Sequence, residues 1–205
     1  MIICDSRRFV FVHVQKTGGS AVTKLLKSEL PDEEIRAIDK RHAPLGRILD
    51  REPDLADYWI FGFVRDPWDR MVSWWNMIDV WRSRFIRRGA SWEGKGNEFW
   101  RTCAGYDDFE EFVLRGTEEL PRLRRPQIRY LRARGRRADF IGRTETLGDD
   151  VATAMEHVGL SAESLDHHNR GKRDPSKYRH YYSDVSRKRI EDVFAADIKE
   201  FGYSF

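Results

Sequence analysis

Two short runs dominate the hydrophobic pattern. Phe9 to Val14 (FVFVHV) and Tyr58 to Val64 (YWIFGFV) are rich in β-branched and aromatic residues and apolar on both faces. Such runs suit strands buried within a parallel sheet. After the first run, KTGGS at Lys16 to Ser20 forms a turn, and Ala21 to Leu30 reads as a helix with Val22, Leu25 and Leu26 at helical spacing, ended by Pro31. Ile35 to Ile38 is a short strand candidate, His42 lies in a polar turn, and Pro44 sits at the first turn of a short helix through Leu49. After the second run, Asp66 caps a helix with Pro67 at its first position, carrying Trp68, Met71, Val72 and Trp75.

Further along, Ser83 to Arg101 mixes glycine, arginine and tryptophan without a period and reads as an insertion or lid. Asp107 to Arg115 is a helix with Phe109, Phe112 and Val113 on one face. Pro126 interrupts an arginine-rich stretch from Pro121 to Arg137, and a helix resumes after it. Asp139 to Gly142 is a short strand, Leu147 to Val158 a helix, His167 to Pro175 a polar basic loop, and Asp184 to Phe201 a final amphipathic helix. Strands alternating with helices predict an α/β fold with a central parallel sheet flanked by helices. No repeat, low-complexity tract or linker divides the chain, so residues 1–205 read as a single domain.

Composition narrows the partners. A chain of 205 residues is long enough for a substantial core. The charged fraction is high, 35%, yet the formal net charge is only +3, which disfavours a partner held by global charge such as nucleic acid. Cys4 and Cys103, the two cysteines, have no metal-type spacing and read as ordinary free thiols in a reducing compartment. No apolar run is long enough for a membrane span, and the first residues lack a signal-peptide core. The chain therefore reads as soluble and cytoplasmic, or as a catalytic domain cut from a longer protein.

The chemistry gathers after the two strong strands. A glycine turn opening into a helix points backbone N–H groups at one spot, and the helix dipole favours an anion there. Gly18 and Gly19 permit close approach, Lys16 adds a positive charge, and Thr17 and Ser20 add hydroxyls. The lysine precedes the glycines (Q-K-T-G-G-S), so the loop is not the Walker pattern, in which lysine follows the second glycine. Arg65 stands at the carboxyl end of the second strand, the sheet edge at which ligands bind in open parallel sheets. Ser73 follows in the next helix, and Arg65 with Asp66 also reads as a local ion pair at the helix start.

Taken together, H-V-Q-K-T-G-G-S at His13 to Ser20 and R-D-P-W-D-R-M-V-S at Arg65 to Ser73 resemble the sulfotransferases that use 3′-phosphoadenosine 5′-phosphosulfate (PAPS), in their carbohydrate sulfotransferase branch. The segment Tyr181 to Phe205 is similar to that family's last helix and closing aromatic segment, whereas Trp75 to Pro126 matches nothing in it. Gln15 departs from the family's proline. The resemblance implies a P-loop-like three-layer fold, PAPS as donor, adenosine 3′,5′-bisphosphate (PAP) as product and no metal. It implies that Lys16, Thr17, Gly18, Gly19, Ser20 and Ala21 surround the phosphosulfate and that Arg65 and Ser73 hold the 3′-phosphate. Arg170 and Lys172, in HHNRGKR, are further nucleotide-binding candidates, and the turn Gly142 to Glu145 falls at a strand end near the nucleotide.

Sulfuryl transfer needs a stabilised leaving group, for which Lys16 is the candidate, and a base for the acceptor hydroxyl. His42 is the candidate base; it also reads as a surface residue of a polar turn. His13, inside the first strand, is its rival and fits a satisfied core histidine better. The expected acceptor is a carbohydrate or glycolipid-like hydroxyl, with the arginine stretch and Trp81, Trp92 and Trp100 as possible contacts and solvated or core roles as their simpler reading. Two alternatives remain at this level: a P-loop-type kinase, which lacks its G-x-x-x-x-G-K here, and a non-enzymatic polyanion binder acting through Arg122 to Arg137.

Overall fold

A computed structural model describes residues 1–91, 96–162 and 177–205 of the chain. Internal contacts divide it into two compact units, Met1–Arg65 with Gln127–Asp174, and Asp66–Pro126 with Pro175–Phe205. The sequence pattern had no linker to suggest such a division, because each unit is built from two separated stretches.

The first unit holds the main sheet. Its elements are β1 (Ile2–Cys4), β2 (Phe9–Val12), α1 (Gly19–Glu29), β3 (Ile35–Arg36), α2 (Leu45–Arg51), β4 (Trp59–Val64), α7 (Ile128–Leu131), the small hairpin β5 (Arg132–Ala133) and β6 (Arg136–Arg137), β7 (Phe140–Arg143) and α8 (Leu147–His157). The strand order is β3-β1-β2-β4-β7. The expected parallel core is present as β2, β4 and β7, with Phe11 opposite Phe61 and Gly62 opposite Ile141. The sheet as a whole is mixed, because β1 runs antiparallel to both β2 and β3. The cause is local: only Asp5–Arg8 join β1 to β2, too few residues for a parallel crossover.

Residues of β2 and β4 are buried on both faces, which is why their runs are continuously apolar. On one face Phe9, Phe11, Phe61 and Phe63 pack with Val22, Leu25 and Leu26 of α1 and with Val151, Ala154 and Met155 of α8. The ring centroids of Phe11 and Phe61 are 5.1 Å apart and those of Phe9 and Phe61 5.8 Å. On the other face Leu131 covers Gly62 so closely that a Cβ there would meet it at 2.6 Å.

The second unit contains α3 (Pro67–Ile86), α4 (Glu98–Ala104), α5 (Phe109–Glu119), α6 (Pro121–Arg124), α9 (Asp184–Val193) and α10 (Ala195–Phe201). Trp68, Met71, Val72, Trp74 and Ile78 of α3 pack against Phe109, Phe112, Val113, Leu123, Ile190 and Phe194. Asp66 caps α3 as its sequence predicts, accepting from the amides of Trp68 (2.8 Å) and Asp69 (3.2 Å), and the Tyr178 hydroxyl donates to its other oxygen at 2.9 Å.

Two expectations about helices are corrected in this unit. The irregular insertion read over Ser83 to Arg101 is in part helix: α3 continues to Ile86 and α4 begins at Glu98, while residues 92–95, with Trp92, lie outside the described residues. Trp81 and Trp100 are partly buried against the core with ring centroids 5.3 Å apart, which favours their core reading over a sugar platform. The final helix is broken at the buried Phe194, whose φ of −109° and ψ of 22° leave the helical region. The arginine stretch does not form one basic face. Arg122 stacks over Phe99, Arg124 donates to the Glu118 carbonyl, and in the first unit Arg136 binds Asp139 and the carbonyls of Ala56 and Tyr58. Both cysteines are buried free thiols, and burial pushes the Cys103 thiol up to about 12. Among the described residues no helix is long and apolar enough to cross a membrane.

Candidate active site

The glycine loop follows β2 at the carboxyl edge of the parallel strands. Two of its residues take left-handed backbone conformations, Lys16 at φ 67° and Gly18 at φ 79°. Glycine adopts this region freely; lysine does so at a cost of about 1–3 kcal/mol, the kind of strain found at ligand-binding turns. Three bonds hold the turn. The Thr17 hydroxyl donates to the Val14 carbonyl at 3.0 Å, the Ala21 amide donates to Gly18 O at 2.9 Å, and Arg65 Nη1 donates to Lys16 O at 3.3 Å. The Thr17 hydroxyl proton is thus used inside the loop, and its backbone amide is what it offers an anion.

Helix α1 starts at Gly19 with no side-chain cap and no acidic residue in its first turn. The amides of its first two residues, Gly19 and Ser20, have no intrahelical acceptor, and the positive end of the dipole meets no side-chain cap. The contrast with α3 is chemical: there the Asp66 carboxylate fills the helix end, whereas α1 presents the same groups without a protein carboxylate. Each glycine of the pair is also required by its neighbours. A Cβ on Gly18 would lie 2.7 Å from Leu147 Cδ2, and one on Gly19 2.4 Å from His13 Cδ2 and 2.5 Å from His13 Nε2.

Arg65 is 3% exposed at the end of β4. Its main chain is clamped by the side chain of Gln127, which accepts from Arg65 N at 2.9 Å and donates to Arg65 O at 2.7 Å. Next to it, Thr144 binds Val64 O through its amide (2.8 Å) and hydroxyl (3.0 Å), tying the ends of β4 and β7 together.

The turn bearing His42 lies against the loop. His42 Nδ1 is 3.0 Å from the His13 carbonyl oxygen, and the two rings meet edge to face with centroids 4.5 Å apart. A carbonyl only accepts, so Nδ1 of His42 carries the proton and the neutral ring has its lone pair on Nε2. Arg41 donates from Nε to His13 Nδ1 at 3.2 Å and from Nη2 to Ser20 Oγ at 2.9 Å. His13 is 2% exposed. Burial first, then His42 and Arg41 beside it, lower its pKa to about 2, so it is neutral and unsuited to act as a base.

The structure thus brings Lys16 to Ala21, Arg65 and His42 into one neighbourhood of the first unit. Ser73 lies half-buried on α3 in the second unit. Arg170 and Lys172 fall outside the described residues. Sequence reasoning missed Arg41 and Gln127. For Arg41 the signal was its position beside His42 in DKRHAP; for Gln127, within the arginine stretch, there was none.

A parallel core with an open, uncapped glycine-loop helix at its carboxyl edge defines an α/β protein built to hold a phosphate- or sulfate-bearing ligand. Comparison with known proteins is more specific. The sulfotransferase family model matches residues 1–204, and the chain belongs to that family. It is 22% identical over 253 aligned positions to carbohydrate sulfotransferase 10 of Homo sapiens and, equally, of Pongo abelii. Each match covers 99% of this chain and 66% of the relative, so the chain spans somewhat less than two thirds of their length.

Proposed function

We propose that the protein transfers a sulfuryl group from PAPS to a hydroxyl of a carbohydrate or glycolipid-like acceptor, leaving PAP. The observation that carries this reading is the uncapped, acid-free start of α1, fronted by Lys16 and flanked by a histidine whose tautomer leaves Nε2 able to take a proton. The family match and the carbohydrate acceptor in the relatives' name support it.

The donor, when bound, supplies an activated sulfuryl group on a phosphate leaving group. The amides of Gly19 and Ser20 receive the 5′-phosphate end, and Lys16 offsets the charge that grows there as the bond to sulfur breaks. Arg65, at the strand end beneath the loop, is the residue assigned to the 3′-phosphate. His42 Nε2 removes the proton of the acceptor hydroxyl as its oxygen attacks sulfur, and the Nδ1–H bond to His13 O holds the ring in that tautomer. No step calls for a metal ion.

The test is a labelled-PAPS transfer screen over glycans and small hydroxyl compounds, paired with thermal shifts against PAP and ATP with magnesium. Transfer to a glycan with stabilisation by PAP is expected. Stabilisation by ATP with magnesium alone would overturn the reading in favour of a kinase, and transfer only to small phenols would overturn the acceptor class.

A further inference from the structure

We infer that His13 is a donor-binding residue, contributing its Nε2–H as a neutral hydrogen bond to the anion held at the start of α1. This goes beyond the proposed function, in which the loop amides and Lys16 bind that anion, and it rests on that reading.

The argument begins with the hydrogen bonds around the ring. Arg41 Nε–H lies 3.2 Å from His13 Nδ1, and a guanidinium nitrogen only donates. Nδ1 must therefore accept. Thr23 Oγ1, 3.4 Å from the same nitrogen, gives its proton to Gly19 O at 2.7 Å and does not alter this. With Nδ1 accepting in a neutral imidazole, the ring proton sits on Nε2. The two histidines then hold opposite tautomers: His42 protonated on Nδ1, His13 on Nε2.

The Nε2–H of His13 finds no acceptor among the described residues, although His13 is only 2% exposed. The ring is buried, yet this nitrogen is not among the side-chain atoms sealed from solvent without a partner, so its N–H stands open to water or to a bound ligand. Its position says what. Nε2 lies 2.5 Å from where a Gly19 Cβ would stand. Side-chain bonds of a helix tilt toward its N-terminus, so that space borders the open end of α1. The donor thus stands beside the first turn, next to the end onto which the amides of Gly19 and Ser20 open. Glycine at position 19 is what lets the imidazole edge come this close.

The choice of residue also makes electrostatic sense. A neutral N–H adds a directional bond without adding charge, and Arg41, by bonding Nδ1, keeps the proton on the nitrogen that faces the ligand. It also separates the roles of the two rings: the lone pair of His13 is engaged by Arg41, and that of His42 is on Nε2.

Isothermal calorimetry with PAP on the full chain tests this. His13→Phe keeps the ring volume and removes the donor; it is expected to bind about 10- to 100-fold more weakly than wild type, the worth of a bond to a charged group. His13→Gln, whose amide nitrogen reaches the Nε2 position, is expected to recover most of that loss, and His13→Asn, whose amide reaches only the Nδ1 position, is not. Wild-type binding with no change in His13→Phe overturns the inference and leaves the function standing. Failure of wild type to bind PAP overturns both. Should His13→Phe not fold, imidazole ¹⁵N spectra of wild type decide: a protonated Nε2 whose proton resonance moves on adding PAP supports the inference, and a protonated Nδ1 or an unmoved Nε2–H overturns it.

Discussion

His42 Nδ1 lies 3.0 Å from the carbonyl oxygen of His13, so the candidate base is fixed to a residue of the first buried run. The bond sets both the tautomer and the place of the ring. Removing it should therefore act on turnover rather than on nucleotide binding. His42→Ala is expected to lower kcat by about 10²- to 10⁴-fold, the usual contribution of a positioned base, with PAP affinity unchanged. Near-normal turnover by His42→Ala would remove it from the mechanism.

The sequence made this neighbourhood partly legible. Strands buried on both faces have to be continuously apolar, so β2 and β4 stood out, and Asp66-Pro67 declared the start of α3 through local capping chemistry. The loop was readable because its glycines, lysine and hydroxyls are consecutive. What stayed hidden is non-local. Arg41 meets His13 across 28 positions and Gln127 meets Arg65 across 62, and no period or motif carries such pairings. The three-residue β1 is too short for a hydrophobic pattern. The later part of α3 was obscured because its outward positions, such as Asp79 and Arg84, break the apolar run while Ile78 and Trp81 still pack inward.

Gly18 and Gly19 are demanded for different reasons, and alanine should expose the difference. At Gly18 the backbone itself is left-handed, and a Cβ would also press on Leu147 at 2.7 Å. At Gly19 the backbone is helical, and the clash is with His13 at 2.4 Å. Overpacking of this kind costs about 1–3 kcal/mol. Both variants should lower the urea midpoint. In a background with His13→Ala, which removes the obstructing ring, the penalty of Gly19→Ala should largely disappear while that of Gly18→Ala persists. Equal penalties in the two backgrounds would mean that the ring is not what excludes a side chain at Gly19.

Lys16 combines a strained backbone with a chemical role, so one substitution should push stability and activity in opposite directions. At φ 67° a lysine pays for its Cβ, and glycine does not. After allowing for the greater freedom of glycine in the unfolded chain, Lys16→Gly should gain up to about 1 kcal/mol of stability. It should lose about 10²- to 10³-fold in kcat through loss of the charge that stabilises the leaving group, with a smaller effect on PAP binding. A variant that loses affinity and keeps kcat would make Lys16 a docking residue.

The side chain of Gln127 serves both main-chain groups of Arg65 and is fully buried. Gln127→Leu fills a similar volume and leaves an N–H and a C=O unpaired at the end of β4. The expected loss is about 2–6 kcal/mol in urea unfolding, from two orphaned groups at about 1–3 kcal/mol each. Because Arg65 Nη1 also supports Lys16 O, PAP binding should weaken in the same variant even under conditions where it is folded. An unchanged urea midpoint would show that other groups take over the pairing.

The burial that keeps His13 neutral should be visible as a dependence of stability on pH. Its pKa is about 2 in the folded chain and about 6.5 in an unfolded one. Between these values the unfolded chain binds a proton that the folded chain does not, so stability increases with pH across the interval. The contribution is fully present above pH 6.5 and is lost progressively as the pH falls toward 2, with a slope of at most about 1.4 kcal/mol per pH unit. His13→Gln removes the titrating group and leaves an amide in its place. Urea unfolding of the two proteins from pH 7 to pH 4 should therefore give a shallower acid slope for the variant, and wild type should lose ground relative to it with each step. Parallel slopes would mean that His13 takes up a proton in the folded chain, and the ring would then have to be re-read as a cation facing Arg41.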